Sequence, residues 1–347
     1  MRAVRFGGVG QVTLGELEEP TVEQPTDVVV AVRAAAICGS DLHPYLGREV
    51  GLDVGTAMGH EFVGEVVALG AAVARLSIGD RVVAPFTTSC GACWFCRRGL
   101  TARCELGELF GWVQGGRGLH GGQAERVRVP LADSTLVKAP EGAADEHALL
   151  AGDVLSTGFF CAQLGAIEPE HVVAVVGAGP VGVCATIAAS RSAQRVFTLD
   201  LVAERRALAA RQGATPIDPA DPAAMQQLQD ATEGRGVDVV LECVGSQEAT
   251  AASYALVRPG GTIAAAGVHC EPAFAFSPGE AYDKNLTYRA GRCPARAMMD
   301  VTMPLVASGD YDLGALFSHR MPFEEAARGY ELFAARAEGC TKVLLVP

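Results

Sequence analysis

Hydrophobic and polar positions alternate in short β-rich runs through the first ~150 residues, with glycine-containing turns between them. Residues 27–33 (DVVVAVR), 61–69 (EFVGEVVAL), 81–85 and 124–129 carry this pattern. It predicts a β-rich, barrel-like domain with few helices. From about residue 155 the rhythm changes. Continuous apolar runs at 171–177 (HVVAVVG), 195–200 (RVFTLD), 237–245 (VDVVLECVG) and 261–267 (GTIAAAG) alternate with helical stretches such as 203–214. That is the βαβ rhythm of a doubly wound parallel sheet, whose strands are apolar throughout because both sheet faces are covered. After about residue 290 the rhythm stops. A helix over 297–308, an amphipathic helix over 323–337 and a last strand over 342–346 complete the pattern.

A length of 347 residues suggests about two domains. Hydrophobic residues make up 49% and charged residues 20%, which is enough to build cores and argues against disorder. A formal charge of -12 argues against non-specific binding of nucleic acid, which needs clustered Lys and Arg. The N-terminus has early arginines but no apolar segment of a secretory signal. One stretch, 172–189 (VVAVVGAGPVGVCATIAA), has the length of a membrane span. Its glycines and proline instead predict a buried strand, a tight turn and a helix start, so no membrane contact is expected. The 11 cysteines are odd in number and four of them cluster, which points to metal rather than a disulfide framework. A protein of the reducing cytoplasm is expected, with Cys161, Cys184, Cys243, Cys270, Cys293 and Cys340 mostly acting as small buried hydrophobes.

Gly177, Gly179 and Gly182 form G-x-G-x-x-G directly after an apolar strand, with Pro180 and Val181 opening the following helix. The first glycine permits a tight turn, the second lets backbone approach a pyrophosphate, and the third lets helix and strand pack closely. The helix N-terminus then offers its N–H groups to the phosphates. Asp200 ends the next strand, where a carboxylate accepts both adenosine ribose hydroxyls and repels a 2′-phosphate. NAD is therefore expected over NADP. Arg205 and Arg206 follow and could host a phosphate, or simply lie on a solvated helix face.

Cys90, Cys93, Cys96 and Cys104 fall in a lobe at 88–106, with Gly91 and Gly99 allowing the chain to fold around a centre. Four thiolates suit a closed tetrahedral zinc site, hence a structural one. An iron–sulfur run would need its fourth cysteine after three residues, followed by proline. Elsewhere Cys38 opens CGSDLH and His60 lies in GHE, a thiolate and imidazole pair that suits zinc. Spacing alone supplies no third partner for them.

The chain resembles the zinc-containing alcohol dehydrogenases of the medium-chain dehydrogenase/reductase superfamily over essentially its whole length. The resemblance rests on CGSDLH (38–43), GHEFVGEVVALG (59–70), GDRV (79–82), CGACWFCRRGLTARC (90–104), GAGPVG (177–182) and KVLLVP (342–347). TGFF (157–160) and GRCPAR (291–296) are similar to the formaldehyde-dehydrogenase-like branch. It implies an α/β protein with a GroES-like β-rich catalytic domain at 1–153 and 292–347, and a Rossmann NAD-binding domain at 154–291. It also implies two zinc ions per chain. Cys38, His60 and Asp153 would hold the catalytic one, whereas the animal liver enzymes have a cysteine where Asp153 stands. Glu61 would be the carboxylate behind the metal, Asp41 the residue that orients the histidine ligand, and Ser40 the hydroxyl that takes the alcohol proton. His43 would end the proton relay, and Lys342 would contact the cofactor pyrophosphate. Arg205 and Val268 would also contact the cofactor. Phe86, Trp112 and Tyr45 are candidates for lining the substrate pocket, or for the core.

The implied reaction transfers a hydride between an alcohol, held as an alkoxide on zinc, and NAD, interconverting alcohol and aldehyde or ketone. A homodimer or homotetramer is expected. Quinone reductases of the same superfamily lack the zinc ligands and the cysteine lobe. A polyol or threonine dehydrogenase, or a formaldehyde-dehydrogenase-like enzyme, shares the scaffold. A non-catalytic NAD-binding redox sensor would bind no zinc and produce no NADH from alcohols.

Overall fold

In a computed structural model that describes residues 1–270 and 272–347, the ten-residue strand Val28–Ile37 is the spine of the first unit. Glu61–Leu69 pairs antiparallel along one side of it, and this pairing shifts register twice. Such bulges bend and twist a strand. The other side is shared: Arg126–Val129 pairs with the first half of the spine, and Val343–Val346 with its last three residues. The C-terminal strand therefore completes a sheet begun by the N-terminal part of the chain. The sheet runs His319–Pro322, Val343–Val346, Val28–Ile37, Glu61–Leu69, Arg81–Ala84 and Val137–Lys138, with Arg126–Val129 as a branch.

The spine is buried almost throughout because hydrophobic clusters cover both faces. One gathers Val28, Val30, Phe62, Val66 and Phe110. Another gathers Ile37, Tyr45, Met58, Phe323, Tyr330 and Val343. Ile37 ends one strand and Glu61 begins its neighbour, with Ala36 paired to Glu61. Cys38 and His60, one residue beyond each strand end, are thus brought to the same edge.

The second unit is a six-stranded parallel sheet in the order Thr215–Ile217, Arg195–Leu199, Val172–Val176, Val237–Glu242, Val257–Ala265, Thr287–Ala290. Strand order reverses between Val172–Val176 and Val237–Glu242, the switch point outside which such sheets bind ligands. Val172–Val176 is fully buried, as its apolar run predicts. Clusters around Phe197, Val240 and Ile263 on one face, and Val173, Leu241 and Ala264 on the other, cover the sheet.

The two units comprise Met1–Asp153 with Pro294–Pro347, and Val154–Cys293. The second division falls two residues beyond the expected boundary at 292. The stretch 172–189 is a strand, a turn and the helix Pro180–Ser190. A different segment, Asp145–Gly165, is long and apolar enough to cross a membrane, but most of it is buried within the protein. The helix expected over 323–337 is shorter, a 3-10 turn at Phe323–Glu325 followed by Ala326–Ala335.

Candidate active site and metal centres

Cys38, His60, Glu61 and Asp153 are all buried, and each offers a ligand atom within 4.8 Å of the others. Asp153 Oδ2 is 3.2 Å from Cys38 Sγ and 3.4 Å from His60 Nε2. Asp41 Oδ1 lies 3.1 Å from His60 Nδ1. Donation of the Nδ1 proton to Asp41 turns the Nε2 lone pair toward Cys38 and Asp153, the usual orienting arrangement for a metal-binding histidine. Ser40 Oγ completes the group, 3.3 Å from Cys38 Sγ and 3.2 Å from His60 Nε2.

The electrostatics of this group call for a cation. Burial, and then the Asp153 charge, push the Cys38 thiol up to about 12. Burial alone would lower the pKa of His60, but Asp41 reverses this and raises it well above its ordinary value. Burial would likewise raise Asp153, yet its hydrogen bond to His60 holds it below the usual carboxylate range. The Cys38 thiol and the His60 imidazole hold protons that a dication can replace, beside an ionised Asp153, and sulfur, nitrogen and oxygen donors together suit zinc.

Glu61 and Lys342 lie immediately behind. Lys342 Nζ is 2.7 Å from Glu61 Oε2 and 2.9 Å from Oε1, and both side chains are buried. Burial pushes Glu61 up to about 7 against the pull of Lys342. Lys342 is the residue that the resemblance implies would contact a pyrophosphate. Its ammonium is enclosed and committed to Glu61 and the Ile37 carbonyl.

The four cysteines of the lobe also bring their sulfurs within 4.8 Å of one another. Backbone N–H groups point at them: Cys90 N to Cys104 Sγ at 3.1 Å and Cys93 N to Cys90 Sγ at 3.3 Å. Such bonds favour thiolate, and those from Cys96 and Glu105 bring Cys93 down to about 6. Burial keeps Cys96 up at about 12. A bound dication would bring all four to thiolate. Gly91 and Gly99 take φ of 69° and 75°, the left-handed turns that wrap the chain round the sulfurs. All 11 cysteines are free thiols. Cys161, Cys184, Cys293 and Cys340 are buried, while Cys270 is exposed and Cys243 lies partly exposed 4.0 Å from Cys161.

Gly177 follows Val172–Val176 with φ +90°. A Cβ at Gly182 would run into the Gly177 carbonyl oxygen, so helix and turn close only over glycine. A Cβ at Gly179 would meet nothing nearer than Arg205 Nη1 at 3.9 Å, leaving backbone open beside the start of Pro180–Ser190. Asp200 is already fixed, with Oδ2 accepting from Ala178 N at 2.7 Å and Oδ1 from Val202 N at 2.8 Å. Arg206 is committed to Asp218 and the Asp200 carbonyl. Val268, 51% exposed, stands at the same C-terminal edge of the sheet.

Of the three candidate pocket aromatics, Phe86 sits edge-on to His60 with centroids 6.3 Å apart. Tyr45 is buried against Tyr330 at 5.4 Å, and Trp112, partly buried, packs on the same cluster. His43 is half-buried on Leu42–Tyr45, and burial lowers its pKa. One pair had no motif to reveal it. Glu242 is fully buried at the end of Val237–Glu242, where Oε1 accepts from Val244 N and Gly245 N and Oε2 meets His269 Nε2 at 3.1 Å.

Residues 24–141 match the family described as "Alcohol dehydrogenase GroES-like domain", and residues 180–308 that described as "Zinc-binding dehydrogenase". The chain is 39% identical to zinc-type alcohol dehydrogenase B of Aspergillus flavus, over 96% of this chain and 79% of that protein. It superposes on the alcohol dehydrogenase TADH of Thermus sp. ATN1 with a TM-score of 0.92 and 40% identity, covering 100% and 99% of the two chains. It is also 34% identical to a glutathione-independent formaldehyde dehydrogenase of Pseudomonas aeruginosa, over 70% of this chain and 65% of that protein. With a GroES-like unit, a Rossmann unit and two clusters of zinc-type donors, the chain belongs to the zinc-containing alcohol dehydrogenases of the medium-chain dehydrogenase/reductase superfamily, which are NAD-dependent oxidoreductases.

Proposed function

We propose that Cys38, His60 and Asp153 hold a catalytic zinc, that Cys90, Cys93, Cys96 and Cys104 hold a structural one, and that a hydride passes between an alcohol and NAD. The observation that carries this reading is the convergence of Cys38 Sγ, His60 Nε2 and Asp153 Oδ2 beside Ser40 Oγ. When bound, the zinc supplies Lewis-acid activation of the substrate hydroxyl and NAD supplies the hydride acceptor.

The chain's own residues do the rest. Ser40 Oγ would accept the proton leaving the substrate hydroxyl, and His43 would be the end of the proton relay. A pKa lowered by burial leaves His43 neutral near pH 7 and able to receive it. Asp41 holds His60 in one tautomer, and Phe86 screens the ring from water. Asp200, pinned by two backbone N–H groups, presents its remaining lone pairs to the adenosine ribose and disfavours a 2′-phosphate. Arg205 and Val268 flank the same cofactor edge.

Metal analysis with an NADH absorbance screen over primary, secondary, aromatic and polyol alcohols tests the assignment. Two zincs per chain and alcohol-dependent NADH are expected, while one zinc or no NADH overturns it. The same screen separates a polyol or threonine-type substrate, and the formaldehyde-dehydrogenase-like branch, from simple alcohols. A homodimer or homotetramer is supported by the edge strand Thr287–Ala290, whose outer side has no partner strand among the described residues. The free thiols fit a reducing cytoplasm.

A further inference from the structure

Tyr330 and Gln123 are fully buried polar side chains that the reaction as described does not use. Tyr330 lies on Ala326–Ala335 and donates its hydroxyl proton to Gln123 Oε1 at 3.0 Å. Gln123 Nε2 donates to the Ala36 carbonyl at 3.1 Å and toward Asp41 Oδ2 at 3.4 Å. Asp41 Oδ2 also accepts from Cys38 N at 2.9 Å, while Oδ1 receives the His60 Nδ1 proton at 3.1 Å. We propose that Tyr330 and Gln123 are positioning residues for the catalytic metal, forming with Asp41 a buried hydrogen-bond chain that fixes the ring of His60.

The chain has one polarity. Flipping the Gln123 amide would set its oxygen against the Ala36 carbonyl and the Asp41 carboxylate, so the partners determine the orientation. The backbone also holds Gln123 in place: its N–H donates to Met58 O at 2.9 Å and its carbonyl accepts from Val4 N at 2.8 Å. A Cβ at Gly59, the residue before His60, would collide with the Gln123 side chain. Gln123 therefore touches both the carboxylate that orients the histidine and the backbone that carries it. Burying an amide and a phenol costs free energy unless both are paired, whereas methionine and phenylalanine would fill the same space without that cost. Here the paired groups hold Asp41 in a single rotamer. Loss of such outer partners weakens metal affinity about 10–100-fold when they touch the ligand itself. One and two bonds further out, a smaller effect is expected.

The inference rests on Cys38, His60 and Asp153 binding zinc, and the experiment keeps the two ideas apart. Zinc is withdrawn from the purified enzyme by excess chromogenic chelator and its release followed in time, with Cys38→Ser identifying which phase is the catalytic zinc. Tyr330→Phe should speed that phase about fivefold and Gln123→Met about tenfold, leaving the structural zinc of the cysteine lobe unchanged. In the Gln123→Met background Tyr330→Phe should add almost nothing, because the link is already cut. Phe333→Leu, in the same helix and core, is the packing control.

Unchanged release in Tyr330→Phe overturns the proposal. So does full additivity of the two substitutions, or equal acceleration by Phe333→Leu. If Gln123→Met does not fold, the d–d spectrum of cobalt placed at the catalytic site decides. A spectrum in Tyr330→Phe identical to that of the unsubstituted enzyme sinks the proposal, and a shifted one supports it. A wild-type enzyme that releases only the lobe's zinc overturns instead the assignment of Cys38, His60 and Asp153.

Discussion

Lys342 and Glu61, 281 positions apart, form an ion pair of 2.7 Å with both side chains closed off from solvent. Neither charge could remain there alone, because an unpaired buried ion is strongly destabilising. Lys342→Met should therefore cost about 3–5 kcal/mol of stability in urea denaturation. The double variant Glu61→Gln/Lys342→Met, which removes both charges, should recover much of that loss. If Lys342→Met unfolds at the wild-type urea midpoint, the pair carries no such coupling.

That pair also marks where the sequence stops being informative. The Gly177–Gly182 loop and the four-cysteine lobe were legible because their chemistry is contained in a few consecutive residues. Cys38 and His60 were each recognisable, but Asp153 lies 115 positions from Cys38, and only a family resemblance connected them. The burial of Lys342 and its pairing with Glu61 depend on a sheet assembled from both ends of the chain, which no local pattern shows. The packing of Tyr45 against Tyr330 likewise joins distant segments of the chain. Thr215–Ile217 and Thr287–Ala290 carry too few apolar positions to register as strands until their neighbours pair with them. Glu242, Gln123 and Tyr330 have partners 27, 82 and 207 positions away, beyond any local pattern.

The two metal centres should fail separately. His60→Ala removes one donor from the Cys38 group, so zinc content should fall from two per chain to one and turnover should drop at least a hundredfold. Melting should change little. Cys104→Ser should also remove one zinc, but the lobe depends on that ion for its folding, so thermal stability should fall with it. Metal analysis and calorimetry on both variants check the division. Near-normal turnover in His60→Ala would exclude the catalytic assignment.

The proposed role of Asp200 makes cofactor selectivity the third test. Its carboxylate is held in place by Ala178 N and Val202 N before any nucleotide arrives, so its charge is fixed where the ribose hydroxyls are expected. Asp200→Gly should lower the ratio of kcat/KM for NAD over NADP by about tenfold or more, equivalent to roughly 1.4 kcal/mol of discrimination. Losing two backbone anchors should also raise KM for NAD. A cofactor ratio equal to that of the wild type would remove Asp200 from the selectivity argument.

His43 offers a test of the proton route with a definite sign. Burial disfavours its charged form, so its pKa in the folded protein lies below the ordinary value near 6.5. A relay end must be neutral to accept a proton. Activity in the oxidation direction should therefore be full at neutral pH and fall as pH drops through a value below about 6.5. With glutamine at position 43 this acid limb should disappear, leaving a lower and flatter kcat profile between pH 5 and 7. Exogenous imidazole should restore part of the rate if a mobile base can substitute for the missing one. Retention of the same acid limb in His43→Gln would assign the titrating group elsewhere and break the relay at Ser40.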